Sequence, residues 1–257
     1  MNLYYFSGTG NSIAIVRELQ KHLKDAELSP IVRHLGDDEV RDDSKVIGLV
    51  APTYYMDIPD IVRNFTKKLS IKKNAFVFAV IHYGVTPGRA FHSLNELLLE
   101  KGAKLNAGFG ITLPDNSIAL KTPIRKQPEM HALMSKTLED ISSMVLKKRS
   151  IPLPGSSSQL LGVNGKIGSF VLRKIFGTER KRTTSDCTHC GICERVCPMN
   201  NITVYDDDVS FGDNCADCFA CIHWCPEKAI RYGILKVNSK SHYTNPAVCA
   251  ADMMAQK

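Results

Sequence analysis

Eight of the nine cysteines fall into two runs of one pattern, C-x2-C-x2-C-x3-C-P: Cys187, Cys190, Cys193 and Cys197 before Pro198, then Cys215, Cys218, Cys221 and Cys225 before Pro226. Three thiolates at successive two-residue spacings wrap one iron–sulfur cube, and the fourth cysteine of each run reaches across to the other cube. The ligand sets that follow are Cys187, Cys190, Cys193 with Cys225, and Cys215, Cys218, Cys221 with Cys197, each for one [4Fe-4S] cluster. Such clusters carry single electrons. A structural zinc site would pair C-x2-C knuckles or add histidines, and a disulfide framework would imply a secreted chain. Neither fits three evenly spaced cysteines, twice, each time followed by Cys-Pro. With the cysteine quota complete, His189 and His223 read as tuning or exposed residues rather than iron ligands. The ninth cysteine, Cys249, reads as a buried small hydrophobe. Asp206, Asp207 and Asp208 read as a solvated turn, because consecutive carboxylates do not converge on one cation.

A shift of 28 residues superposes the four cysteines, Pro198 on Pro226 and Ile202 on Ile230. This internal duplication resembles the two-cluster bacterial ferredoxins, whose fold is a pseudo-symmetric pair of βαβ-like halves around the cubes. Roughly fifty residues cannot build a self-sufficient apolar core, so the clusters are expected to supply much of the folding free energy.

A second group of candidates stands at the amino end. Apolar Asn2–Phe6 runs into Ser7-Gly8-Thr9-Gly10-Asn11-Ser12, after which Ile13, Val16, Leu19 and Leu23 recur at helical spacing. Hydroxyls at Ser7, Thr9 and Ser12, with N–H groups freed by Gly8 and Gly10, suit a phosphate at the positive end of that helix. The loop has neither the Gly-Lys-Ser/Thr of an ATP-binding loop nor G-x-G-x-x-G. It resembles the first loop of the flavodoxins, [Ser/Thr]-x-Thr-Gly-x-[Ser/Thr], which holds the phosphate of FMN. Two further segments strengthen the resemblance. Pro52-Thr53-Tyr54-Tyr55-Met56-Asp57 follows the apolar run Val46–Ala51, and the resemblance makes Tyr54 or Tyr55 the flavin platform, worth about 0.5–1.5 kcal/mol beyond burial. Related chains carry glycines where this one has Met56 and Asp57. His82-Tyr83-Gly84, after Ala75–Ile81, is expected to line the far edge of the flavin, with Gly84 permitting close backbone approach.

The elements that must position these residues follow from periodicity. Apolar runs at Asn2–Phe6, Ile31–Leu35, Val46–Ala51, Ala75–Ile81 and Lys104–Leu113 alternate with helical patterns at Asn11–Lys24, Pro59–Ser70, Arg89–Lys101 and Glu129–Lys148. That is an α/β fold, a doubly wound five-stranded parallel sheet with all three candidate loops at the carboxyl ends of strands. The resemblance implies flavodoxin-like order 2-1-3-4-5, followed by an α+β two-cluster module. The expected division is a sheet domain over 1–150, a linker over 151–182 whose amphipathic stretch at 168–176 reads as a docking helix in preference to a membrane-surface helix, the ferredoxin module over 183–232 and a tail over 233–257.

Charge is uneven. The 257 residues carry a net +7, yet residues 183–232 hold eight acidic and only three basic side chains. An acidic cluster module can lean on the basic part of the chain or meet a basic redox partner. No nucleic-acid motif accompanies the overall basicity. There is no apolar run long enough to span a bilayer, and the chain opens on a strand rather than a secretory leader. Cluster-bound cysteines fit the reducing cytoplasm.

Taken end to end, the chain resembles the flavodoxin–ferredoxin fusion family. The resemblance implies an intracellular carrier passing electrons between FMN and two [4Fe-4S] clusters, and between these and partner redox proteins. Two other readings stay open. One is an FMN-dependent oxidoreductase acting on a small organic molecule or quinone, with His82, Tyr83 or Tyr55 as proton donor. The other is a regulatory or structural protein whose clusters hold the fold or sense oxygen.

Overall fold

A computed structural model of the chain describes residues 1–115, 121–155, 181–232 and 242–257. Its main sheet is built from the long apolar runs: β1 (Asn2–Tyr5), β2 (Glu27–Pro30), β4 (Val46–Pro52), β6 (Phe76–Tyr83) and β7 (Leu105–Thr112). All five pair in parallel, in the spatial order β2-β1-β4-β6-β7. Counted within the sheet alone, the order is 2-1-3-4-5. β4 is buried at every position, because helices cover both faces of a parallel sheet. The helices are α1 (Asn11–His22), α2 (Asp60–Lys68), α3 (Ala90–Leu99) and α4 (Gln127–Leu146), with α1 packed on α4 and α2 on α3. In α1 the apolar face of Ile13, Val16 and Leu19 is buried, and left-handed Gly10 turns the chain into the helix.

One expected strand is displaced. The second strand lies at Glu27–Pro30 rather than Ile31–Leu35, and Ile31–His34 forms a 3-10 turn. Ile31 and Val32 are indeed core residues, but they enter the core from the turn that follows Pro30. A further pair was not anticipated: β3 (Val40–Asp42) runs parallel to β5 (Leu69–Ile71).

The cysteine-rich part pairs β8 (Arg182–Thr183) with β11 (Ile230–Arg231) and β9 (Ile202–Val204) with β10 (Val209–Phe211), both antiparallel. Two short helices lie within it, α5 (Ile192–Val196) and α6 (Ala220–His223). The duplication is conformational as well as chemical. The 28-residue shift carries β8 onto β10 and β9 onto β11, and it matches three pairs of left-handed residues: His189 with Asp217, Gly191 with Phe219, and Asn200 with Lys228. Even Phe219, a bulky side chain rarely found at positive φ, takes the backbone of its glycine counterpart.

Residues 242–257 return to the amino-terminal half, where Val248 and Met253 join the main core. They include α7 (Ala250–Met254), which begins at Cys249. Contrary to expectation, Cys249 is exposed. It caps the helix: its N–H donates to the Asp252 carboxylate, and its side chain accepts the N–H of Asp252. The docking helix expected at 168–176 lies outside the described residues. Among the described residues, no helix is long and apolar enough to cross a membrane.

Candidate redox site

Neither cysteine run closes on itself. One cavity is lined by Cys187, Cys190, Cys193 and, from the other run, Cys225. A second is lined by Cys215, Cys218, Cys221 and Cys197. The two sets of four expected from the spacing are therefore brought together. Backbone N–H groups are aimed at sulfur, from Asn201 to Cys197 (3.4 Å), Ala229 to Cys225 (3.3 Å) and Asp217 to Cys215 (3.3 Å). The first two are equivalent under the duplication. Among the described residues, no three His, Cys, Asp or Glu side chains converge tightly enough to hold a single metal ion. Four sulfurs spread around a cavity suit a polynuclear cube and not one zinc. Burial pushes the Cys193 thiol up to about 11 and the Cys221 thiol up to about 12, and raises Cys218 well above the ordinary range. Iron must displace those protons to bind, and its charge then keeps the sulfurs as thiolates.

Of the two histidines in the runs, His189 lines the first cavity. His223 is buried away from both, and its Nδ1 accepts the Tyr243 N–H at 3.1 Å. Sequence reasoning missed Lys181, which lines the second cavity and donates from Nζ to Cys215 Sγ at 3.0 Å. Burial alone would lower its pKa, but the facing thiolates of Cys215 and Cys221 raise it, so it is an ammonium at neutral pH. It lay hidden in the basic string Arg180-Lys181-Arg182. Extending the 28-residue comparison upstream, where Lys181 meets Val209, would have exposed it.

Ser7 to Ser12 form a loop that is buried throughout. The N–H groups of Asn11, Ser12 and Ile13 open α1 with no acceptor among the described residues. Buried, unanswered donors at the positive end of a helix are what an anion site requires. Within the loop, Gly10 N–H donates to Ser7 Oγ (3.0 Å), and Ser12 Oγ meets His82 Nε2 at 2.9 Å. The carboxyl-terminal segment closes over it. Asn245 N–H donates to Thr9 O (2.8 Å), while Asn245 Nδ2 and the Tyr243 hydroxyl both donate to Asn11 Oδ1. The Gln256 side-chain amide pairs with both backbone groups of Ser7. From the cysteine-rich part, Trp224 Nε1 donates to Gly8 O at 3.0 Å. A Cβ on Gly8 would come within 2.4 Å of the Cys218 carbonyl, so the glycine lets the two parts touch.

The second segment is a tight turn. Tyr54 and Asp57 exchange backbone hydrogen bonds (2.8 and 3.0 Å), with Tyr55 and Met56 both left-handed between them. That is a type I′ geometry, which two non-glycine residues enter at a cost of about 1–2 kcal/mol each. Arg89 N–H holds Met56 O at 2.8 Å, and Arg63 pairs with Asp57. Tyr54 is buried edge-on against Phe6, whereas Tyr55 is partly exposed and Met56 is half exposed. Pro52 pairs with His82 across β4 and β6, and Thr53 donates to His82 O through its N–H and its hydroxyl.

In the third segment, His82 is buried, and that burial pushes its pKa down to about 3. It is neutral and faces the first loop. Tyr83 lies over Gly110. At Gly84 a Cβ would fall 2.4 Å from the Asp115 carboxylate, so that side chain already accounts for the glycine.

Residues 180–227 match the 4Fe-4S dicluster domain family. Over 57 residues the chain is 39% identical to Ferredoxin-1 of Chlorobaculum tepidum, covering 92% of that protein and 20% of this one. Over 47 residues it is 40% identical to the polyferredoxin MvhB of Methanothermus fervidus, of which it spans only 11%. Through this segment the chain belongs to the dicluster ferredoxins, iron–sulfur proteins of electron transfer. It joins that module to a doubly wound parallel-sheet domain of strand order 2-1-3-4-5. Among solved structures it is similar to the Fusobacterium nucleatum flavodoxin bound to flavin mononucleotide (17% identity, 58% of this chain and 98% of that one, TM-score 0.41). It is also similar to two-electron reduced Megasphaera elsdenii flavodoxin (19% identity, 55% and 98%, TM-score 0.36).

Proposed function

We propose that the protein is a cytoplasmic carrier that passes electrons between FMN and two [4Fe-4S] clusters, and between these and partner redox proteins. The junction at Gly8 carries this reading. One residue of the phosphate loop meets the wall of the second cavity at the carbonyl of Cys218, and it is held there by the Trp224 side chain, the chain neighbour of Cys225. Two cofactor sites built back to back in one chain suit internal electron transfer.

The cluster ligands are Cys187, Cys190, Cys193 and Cys225 for one cube, and Cys215, Cys218, Cys221 and Cys197 for the other. The first-turn N–H groups of α1 hold the FMN phosphate, and the turn at Tyr55 and Met56 borders the ring. When bound, FMN supplies both one- and two-electron chemistry, which joins single-electron cubes to two-electron partners. Trp224 and Cys218 hold the cluster module against the loop, and residues 243–256 keep water from it. Of the three candidate proton donors, His82 is buried, neutral and engaged with Ser12, which favours a carrier over an enzyme that would use it.

Anaerobic purification with iron, acid-labile sulfide and FMN counted per chain tests the reading, followed by dithionite titration watched in the visible and by electron paramagnetic resonance. Roughly eight irons, with one FMN that exchanges electrons with them, is the expected result. Full clusters without flavin would reduce the sheet domain to a scaffold and overturn the flavin part.

A further inference from the structure

The duplication copied the ligands but not the surroundings. Under the 28-residue shift Lys181 falls on Val209 and Met199 on Glu227, and all four line the cavities. The second cavity thus has a cation and a thioether where the first has an aliphatic side chain and a carboxylate. Both differences have the same electrical sign. Lys181 also donates directly to a ligand sulfur, whereas Arg195, beside Gly191 of the first cavity's wall, donates to the Cys190 carbonyl. A cation and an N–H···S bond stabilise the more negative, reduced cube and so raise its potential. Asp217 meets the same Cys215 sulfur through its backbone N–H at 3.3 Å, a second N–H···S bond beside the ammonium.

The cavities also differ in position. Cys218 of the second presses its carbonyl on Gly8 of the phosphate loop, and three of its four cysteines are buried. In the first cavity Cys190 is exposed and only Cys193 is buried.

We infer that the two cubes have different roles, with Lys181 as the residue that sets them apart. The cube in the second cavity is the inner relay at higher potential. The cube in the first is the port where an outside one-electron carrier protein docks. Each electron passed inward oxidises the outer cube by one unit and reduces the inner by one, with no bond or proton moved. This order rests on the dicluster assignment and stands whether or not flavin is bound.

The test is a potential-poised titration, read by electron paramagnetic resonance, of the full-length anaerobic protein, Lys181→Met, Lys181→Arg and Val209→Lys, with iron, sulfide and FMN counted in each sample. The wild type is expected to show two unequal midpoints. In Lys181→Met the higher one falls, with the reduced-to-oxidised ratio at a fixed potential dropping at least tenfold, about 59 mV for one electron. The lower one stays, and Lys181→Arg retains the wild-type pattern. Val209→Lys raises the lower midpoint. Equal midpoints in the wild type, or a Lys181→Met protein with full clusters in which the higher midpoint does not move, would overturn the inference. Unequal cubes in a protein without FMN would uphold it while sinking the flavin reading.

Discussion

The sheet half and the cysteine-rich half bury their residues by different means. In the sheet half, Val77 to Ile81 and their neighbours on β1 and β4 form a continuous apolar core, and the candidate loops are the ends of strands that would fold in any case. In the cysteine-rich half the separate core holds, among the described residues, nine buried side chains, of which Cys193, Cys197 and Cys221 are three. Its strands are two or three residues long. One half positions its site by hydrophobic burial, and the other is positioned by what its site binds.

That contrast is open to direct attack. The largest effect is expected from removing iron. Chelation, or Cys193→Ala together with Cys221→Ala, should leave the sheet half folded by circular dichroism and protease resistance while residues 181–232 become cleavable; equal protection of both halves would erase the distinction. Taken singly, each of these substitutions should remove one cube, and full iron in either would break the ligand assignment. Next comes deletion of residues 243–257, which removes the Asn245, Tyr243 and Gln256 bonds to the first loop. FMN release, followed by recovery of flavin fluorescence, should accelerate at least tenfold, and the amides of residues 7–13 should lose hydrogen-exchange protection. An unchanged release rate would show that the closure is not what retains the flavin.

A smaller effect is expected from pH. His82 titrates at about 3 in the fold but near its ordinary value of 6.5 when unfolded. Its contribution is complete above pH 6.5 and is lost as pH falls toward 3, because the unfolded chain takes up the proton first. Between pH 7.5 and 5.5 the wild type should lose about 1 kcal/mol more stability in urea than His82→Gln. Parallel losses would mean the imidazole reaches solvent. The smallest effect belongs to Met56→Gly, which relieves one left-handed residue at a half-exposed position and should stabilise the sheet half by about 1 kcal/mol in the same urea assay. A loss of stability would show that the Met56 side chain makes contacts that outweigh the strain.

What could be read from the residues divides along the same line. The four strongest strands and all four long helices announce themselves by unbroken or 3.6-periodic apolar runs, since their burial is local in sequence. Ile31 and Val32 misled because a buried apolar pair looks the same in a 3-10 turn as in a strand, and the signal that separates them is Pro30. The pair β3 and β5 is three residues a side and too short for any period. Closure of the first loop joins residues more than 230 positions apart through asparagine and glutamine side chains, and no periodicity reports such a contact. The cysteine spacing, by contrast, is legible because the ligands of a cube are dictated by the cube.

Each cavity is completed by one cysteine from the opposite run, Cys225 in the first and Cys197 in the second. That exchange ties the two runs together: losing either one strips the other of its fourth thiolate, so neither run can be deleted at the cost of a single cube. Side chains that do not bridge the runs, such as Lys181 and Val209, stay free to diverge.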